Sequence, residues 1–159
     1  MAPELHDDVA HLAFLLGTWK GTGTGEYPTI ESFAYNEQAE FGHVGKPFVS
    51  YTQRTKHADT GLPLHAESGY LRPVGLDRIE FVVVQPSGIV ELHAGTVDAT
   101  KGQLELMATN VLTTPSAKSV SEVRRKISVD GDSLSYSVHM AAVGLPLQHH
   151  LEATLARSE

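Results

Sequence analysis

The sequence predicts an all-β protein, a ten-stranded antiparallel up-and-down β-barrel with a short N-terminal helix. Residues that favour strands, such as Val, Thr, Tyr, Phe and Ile, become frequent after Gly17, and turn signals recur roughly every ten residues from there on. Parallel strands would need a long, usually helical connection between each pair, and no such segment is present. Sequential antiparallel strands in this number pack as two sheets or close into an up-and-down barrel.

The helix is predicted at the start of the chain, where Asp7 or Asp8 can act as the N-cap of a segment with apolar residues at helical spacing. Gly17 should end it. The ten predicted strands are Thr18–Gly25, Ile30–Phe41, Pro47–Lys56, Leu64–Arg72, Arg78–Gln85, Gly88–Asp98, Gln103–Leu112, Ser119–Val129, Ser133–Val143 and Leu147–Leu155. Short turns with Asp and Gly at the bends join them, which is the chemistry that tight hairpins need.

Composition limits the class of protein. The chain has 159 residues, 41% of them hydrophobic and 19% charged, which is typical of one globular domain, predicted to span 1–159. It has no cysteine, so thiolate chemistry, iron–sulfur clusters and disulfides are excluded. A net charge of -7 without a basic stripe argues against nucleic-acid and anionic-membrane partners. No segment resembles a signal peptide or a membrane span, so a cytoplasmic location is expected.

Side-chain alternation indicates a cavity inside the barrel. In Ser133–Val143 the even positions are apolar and the odd ones polar, so one face should be core and the other solvent. In Gly88–Asp98 the contrast is weaker, because Glu91 and His93 share a face with Ile89. A ten-stranded barrel is wider than the eight-stranded kind that side chains fill, so a mixed lining is consistent with a ligand cavity.

Nine histidines are the natural metal ligands of a chain without cysteine. No spacing favours zinc, and no paired carboxylate or Ser-His-Asp order stands out. One inward histidine in a wide apolar cavity is what a haem site requires. Simple alternation with Leu151 and Leu155 puts His149, and not His150, on the apolar side of the last strand.

The glycine-rich segment 17–25 contains the sequence Gly17-Thr18-Trp19-Lys20-Gly21-Thr22-Gly23. A strand that follows a helix is the wrong order for a dinucleotide-binding loop, and alternate glycines instead leave one strand face bare. Together with Tyr27-Pro28-Thr29, the segment around His65 and the terminal Pro146-Leu147-Gln148-His149-His150-Leu151, it resembles the nitrobindins, a family of haem-binding ten-stranded barrels. The resemblance covers essentially the whole chain.

The resemblance implies haem b as the cofactor and His150, directly before the leucine of the last strand, as the axial iron ligand. This disagrees with simple alternation. We side with the resemblance, because Pro146 favours an irregular strand entry and a β-bulge would invert the parity. His149 remains the alternative ligand.

Other haem contacts follow from the same resemblance. It places Thr29 and Lys118 near the haem, where a hydroxyl and a compact cation suit a propionate carboxylate. It puts His65 on the distal side of the haem, with Gln85 and Met140 as neighbours in the pocket.

The activity that the resemblance implies is isomerisation of peroxynitrite to nitrate at ferric haem, together with reversible binding of nitric oxide. A homodimer is also expected. The alternative is a haem-free carrier of a lipid or another small apolar ligand. Such a carrier would be expected to hold arginine or tyrosine inside the barrel for a carboxylate, whereas this chain offers His150, His65 and Lys118.

Overall fold

The computed structural model describes residues 1–159 and confirms the predicted fold class, a closed barrel of ten antiparallel strands with one short helix before it. The helix spans Asp7–Leu15. The strands are β1 Gly17–Tyr27, β2 Ile30–Gly42, β3 Val49–His57, β4 Pro63–Val74, β5 Arg78–Gln85, β6 Ile89–Asp98, β7 Gln103–Thr113, β8 Val120–Asp130, β9 Ser133–Ala142 and β10 Gln148–Ser158.

Every strand pairs with its neighbours in the sequence, and β1 pairs with both β2 and β10 to close the barrel. The closing seam pairs Thr18 with Ser158 and Gly25 with Leu151. Two residues connect β1 to β2, where Tyr27 pairs with Ile30. Short turns therefore account for the sequential order, as the hairpin signals predict. No helix in the structure is long and apolar enough to cross a membrane.

The helix differs from the prediction in its cap and its type. It is a 3₁₀ helix, and its N-cap is His6, not Asp7 or Asp8; the His6 Nδ1 accepts a hydrogen bond of 3.1 Å from the Asp8 backbone N–H. A 3₁₀ helix has three residues per turn, so side chains three apart lie on one face. Val9, Leu12 and Leu15 have this spacing, and all three are fully buried.

The helix closes one end of the barrel around Trp19. This side chain is fully buried, and its Nε1–H donates a hydrogen bond of 2.8 Å to the Leu15 carbonyl. The Arg157 guanidinium lies 4.2 Å from the centre of the indole ring. The helix residues and Trp19 belong to one apolar cluster of 21 buried residues, so this end of the barrel is a packed core.

The glycines of β1 leave the inner face bare between Trp19 and Tyr27, as predicted. A Cβ on Gly23 would collide with the Tyr35 ring, and a Cβ on Gly25 with the Phe33 ring. Both aromatic rings come from β2 and fill the space that the glycines vacate. The interior beside β1 is therefore shaped by the side chains of its neighbour.

Candidate functional site

A cavity of about 290 Å³ occupies the barrel interior above the packed end. Its mouth lies at the end opposite the helix, because the lining residues Leu64, His65, Gln85, Ile89 and His150 all sit beside the turns of that end. Of its 26 lining residues, 17 are hydrophobic. The predicted cavity is therefore present, and its walls are largely apolar.

A β-bulge turns His150 into this cavity. His149 pairs with His139 of β9 and Leu151 pairs with Val138, so His150 is the extra residue that opposes no partner. Such a residue inverts the inward and outward alternation on one side of it. His150 lines the cavity and His149 does not. The alternation that put His149 on the apolar side is wrong for this reason.

The His150 ring is held with one nitrogen free. Its Nδ1 lies 2.9 Å from the Glu26 backbone oxygen, and because a carbonyl only accepts, Nδ1 carries the proton. The Tyr27 ring packs edge-on against the imidazole at 5.5 Å between centres. Burial lowers the pKa of His150, which favours the neutral ring. Nε2 then offers a lone pair, as in histidines that bind metals.

His149 lies on the outer surface of the same strand. Its Nδ1 is 2.8 Å from a carboxylate oxygen of Glu26, and its ring packs edge-on against His139 at 5.4 Å. Residue 26 therefore orients both histidines, His150 through its backbone oxygen and His149 through its side chain. The two adjacent rings face different environments.

A buried ion cluster from β4, β6 and β8 also lines the cavity. Arg125 donates to Glu67 at 2.6 and 3.1 Å and to Glu91 at 3.0 Å. We call these three residues the Arg125 clamp. Tyr51 donates to Glu67 at 2.7 Å, and the His93 Nε2 lies 2.7 Å from Glu91. Glu67 and Glu91 are thus held by one arginine that lies between them and not by a bond to each other.

Electrostatics inside the clamp favour charged carboxylates. Burial opposes the ionisation of Glu67 and Glu91, but the Arg125 charge together with hydrogen bonds from Arg125 and from His65 or His93 outweighs it and leaves the pKa of each carboxyl below its usual value. The same two carboxylates raise the pKa of Arg125 despite its burial. The cluster is therefore an ionised arginine between two ionised carboxylates.

Glu37 has a different environment, although it faces the same cavity. It accepts a hydrogen bond from the Tyr136 hydroxyl, which is also 2.7 Å from the Tyr35 hydroxyl. No arginine or lysine lies within ion-pair distance of it. Burial raises the pKa of Glu37 to about 7.

The predicted site residues divide into two groups. His150, His65, Gln85 and Met140 all line the cavity. Thr29 and Lys118 do not: both are exposed, Thr29 in the turn between β1 and β2 and Lys118 in the segment before β8. These two segments lie at the open end, so both residues belong to the rim of the mouth and not to the cavity wall.

The clamp is not among the predicted site residues, yet the sequence contains a signal for it. In a strand, residues two positions apart face the same side. Each clamp residue has a buried neighbour at this spacing on its own strand: Gly69 for Glu67, Ile89 for Glu91, and Val123 and Ile127 for Arg125. A charged side chain at an inward position of a strand needs a partner. Opposite charges at inward positions of separate strands therefore predict such a cluster.

The barrel interior contains the residue types that a lipid carrier would be expected to use for a carboxylate. Arginine and tyrosine do occur inside the barrel, in the form of Arg125, Tyr35, Tyr51 and Tyr136. Arg125 is already matched by two carboxylates. An incoming fatty-acid carboxylate would meet a clamp that has no charge left to offer, so the clamp disfavours that ligand.

The residues fit a haem group. The cavity has a largely apolar lining, and His150 supplies one neutral imidazole with a free Nε2, which is the usual donor for haem iron. Its Nδ1 bond to a backbone oxygen is the kind of contact that orients a ligating histidine.

Comparison with known proteins agrees with this geometry. Residues 8–157 match the family described as the THAP4-like, heme-binding beta-barrel domain. The chain is 52% identical to "Peroxynitrite isomerase 1" of Mycolicibacterium paratuberculosis, over 99% of each chain, and 49% identical to "Peroxynitrite isomerase" of Nocardia farcinica, over 96% of this chain and 92% of that one. The crystal structure of Rv2717c from M. tuberculosis superposes with a TM-score of 0.95 at 45% identity, covering 98% of this chain and 100% of that one. The chain belongs to the family of THAP4-like haem-binding β-barrel domains.

Proposed function

We propose that this protein binds haem b with His150 as the axial ligand and isomerises peroxynitrite to nitrate, and that it binds nitric oxide reversibly at the same iron. One observation carries the site assignment: the bulge in β10 brings His150 to the cavity with Nδ1 tied to Glu26 and Nε2 free. The names of the full-length relatives support the activity.

The chemistry is divided between the cofactor and the chain. Ferric haem, when bound, supplies a Lewis-acid iron. The chain supplies His150 as the ligand, apolar walls that exclude water, and His65 and Gln85 on the opposite wall. Thr29 and Lys118 at the rim are proposed to bind the propionates, because a hydroxyl and an ammonium group suit carboxylates there.

Hemin titration with two neighbouring variants tests the ligand. We expect His150→Ala to abolish the Soret band of the wild-type complex, because it removes the free Nε2. His149→Ala should largely preserve it, because that ring faces outward against Glu26. Loss of the band only in His149→Ala would refute the ligand assignment, and a wild-type protein that does not bind hemin would refute haem binding.

Stopped-flow decay of peroxynitrite tests the reaction. The hemin-loaded wild-type protein should accelerate the decay and yield nitrate, whereas His150→Ala treated with the same hemin should not. Equal rates with and without the loaded wild-type protein would refute the isomerase activity.

Optical titration of the reduced protein with nitric oxide, followed by removal of the gas, tests reversible binding.

We also propose that two copies pair through the outer face of β4–β7. Tyr70, Val84 and Leu112 each leave about half of their surface exposed there, at 51%, 50% and 55%, and Val90 lies between Val84 and Leu112 in the sheet register. Phe48 packs edge-on against the Tyr70 ring at 5.3 Å between ring centres, whereas Val84 and Leu112 keep about half of their surface exposed. Light scattering should give the mass of a dimer for the wild type and of a monomer for Val84→Lys; a wild-type monomer would refute the pairing.

The cytoplasmic location stays a prediction.

A further inference from the structure

The wall opposite His150 is built from side chains that the Arg125 clamp holds. In the order of strands around the barrel, β5 lies five strands from β10 in either direction, and β4 lies four strands away through β1. Gln85 of β5 donates through Nε2 to Glu91. The His65 Nε2 of β4 lies 3.2 Å from Glu67. Each of these cavity residues is therefore bound to one carboxylate of the clamp.

The bond between His65 and Glu67 has only one sensible direction. Arg125 and Tyr51 both donate to Glu67, and the arginine charge keeps this carboxyl ionised, so Glu67 can only accept. His65 must then donate from Nε2. Its Nδ1 has no hydrogen-bond partner in the protein. In a neutral imidazole with its proton on Nε2, Nδ1 is an acceptor.

We propose that Arg125, acting through Glu67, is a positioning residue that holds the proton of His65 on Nε2 and leaves Nδ1 as the acceptor that this wall offers to a ligand. A ligand held opposite His150 is then favoured when it carries its own proton toward His65. Peroxynitrous acid and water have such a proton, whereas a bare anion does not. This inference rests on the proposed function for its ligand, and on the clamp alone for the position of the proton.

Glu67→Gln reverses the arrangement without changing the size of the side chain. The Oε1 position of Glu67 receives both Tyr51 and Arg125, the latter at 2.6 Å, whereas Oε2 receives one longer bond of 3.1 Å from Arg125, so the amide oxygen of the variant should take the Oε1 place and give up the longer bond. The amide NH₂ group then occupies the Oε2 position beside His65. Because an amide nitrogen only donates, it needs a lone pair on Nε2, and the proton of His65 moves to Nδ1.

The ¹⁵N spectrum of histidine-labelled, hemin-free protein at about pH 8 reads this proton directly. In the wild type, His65 should show a protonated Nε2 and an unprotonated Nδ1. In Glu67→Gln the two signals should exchange character. Glu80→Gln is the matched control, because it removes an arginine partner on the surface, where Arg72 lies 3.2 Å away, and should leave His65 unchanged. A wild-type His65 with its proton on Nδ1 or on both nitrogens would overturn the proposal, as would an unchanged His65 in Glu67→Gln.

Fluoride binding to the hemin-loaded proteins gives a second readout in which the variant should gain affinity. Bound fluoride accepts hydrogen bonds, so an unprotonated Nδ1 offers it nothing. The Nδ1–H of Glu67→Gln should tighten fluoride binding about tenfold relative to the wild type and Glu80→Gln, since a hydrogen bond to a charged group stabilises by at least that factor. Unchanged or weaker binding in Glu67→Gln contradicts the proposal. The ¹⁵N result stands without haem or peroxynitrite, so its failure is distinct from failure of the proposed function.

Discussion

The two halves of the barrel interior are built on different principles. At the closed half, Val9, Leu12, Leu15 and Trp19 pack with no exposed surface, and the only polar atom of the group, the Trp19 Nε1, donates to a carbonyl. The open half instead buries ionised groups beside a cavity. Burial of an apolar side chain stabilises the fold without needing a specific partner, whereas a buried charge is tolerated only when a counter-charge pairs with it. The closed half can therefore stabilise an open half that is specialised for a ligand.

The largest effect should follow from removing the centre of the clamp. Arg125→Met leaves Glu67 and Glu91 buried without a cation, so the free energy of unfolding should fall by roughly 3–5 kcal/mol. Urea denaturation of the hemin-free protein measures it. The control is the adjacent Arg124→Met, whose side chain is 54% exposed beside Glu122 and should change stability very little. Similar losses in both variants would show that the buried ion pairs of Arg125 contribute no more to stability than the surface ion pair of Arg124.

A truncation at the closed half should cost somewhat less and leave the site intact. Leu12→Ala removes a fully buried side chain from the helix, and we expect a loss of about 3 kcal/mol in the free energy of unfolding. Hemin affinity, measured by titration well below the unfolding temperature, should not change, because Leu12 does not line the cavity. A weaker hemin affinity in a fully folded Leu12→Ala would show that the two halves are coupled.

The same contrast explains what could be predicted from sequence. The barrel, its ten strands and the glycine face of β1 follow from local signals, namely alternation and turn residues, so their bounds agree with the structure to within a few residues. Alternation alone could not predict that His150 faces the cavity, because one extra residue in β10 reverses the inward and outward order of the side chains. The inward charges of β4, β6 and β8 are visible in the sequence, but which of them pair depends on distances across the barrel that no single strand contains.

Glu37 gives an effect of at most similar size, and its magnitude depends on pH. Its pKa is raised by burial from 4.5 to about 7, so between these values the folded protein keeps a proton that the unfolded chain has lost. Stability should therefore fall as the pH rises through this range. Below about pH 4.5 the group contributes nothing, and above about pH 7 the cost is complete, at up to about 3 kcal/mol.

Glu37→Gln removes this cost because the amide oxygen still accepts from Tyr136 and carries no charge. Urea denaturation of the hemin-free variant should show higher stability than the wild type at about pH 8 and equal stability at about pH 4. Glu40→Gln on the same strand is the control, since that side chain faces solvent and should show no such dependence. An equal gain at both pH values would mean that packing, and not charge, separates the two proteins. A gain confined to high pH would instead show that a carboxylate without a counter-charge costs stability whenever it ionises, although it lines the same cavity as the paired Glu67 and Glu91.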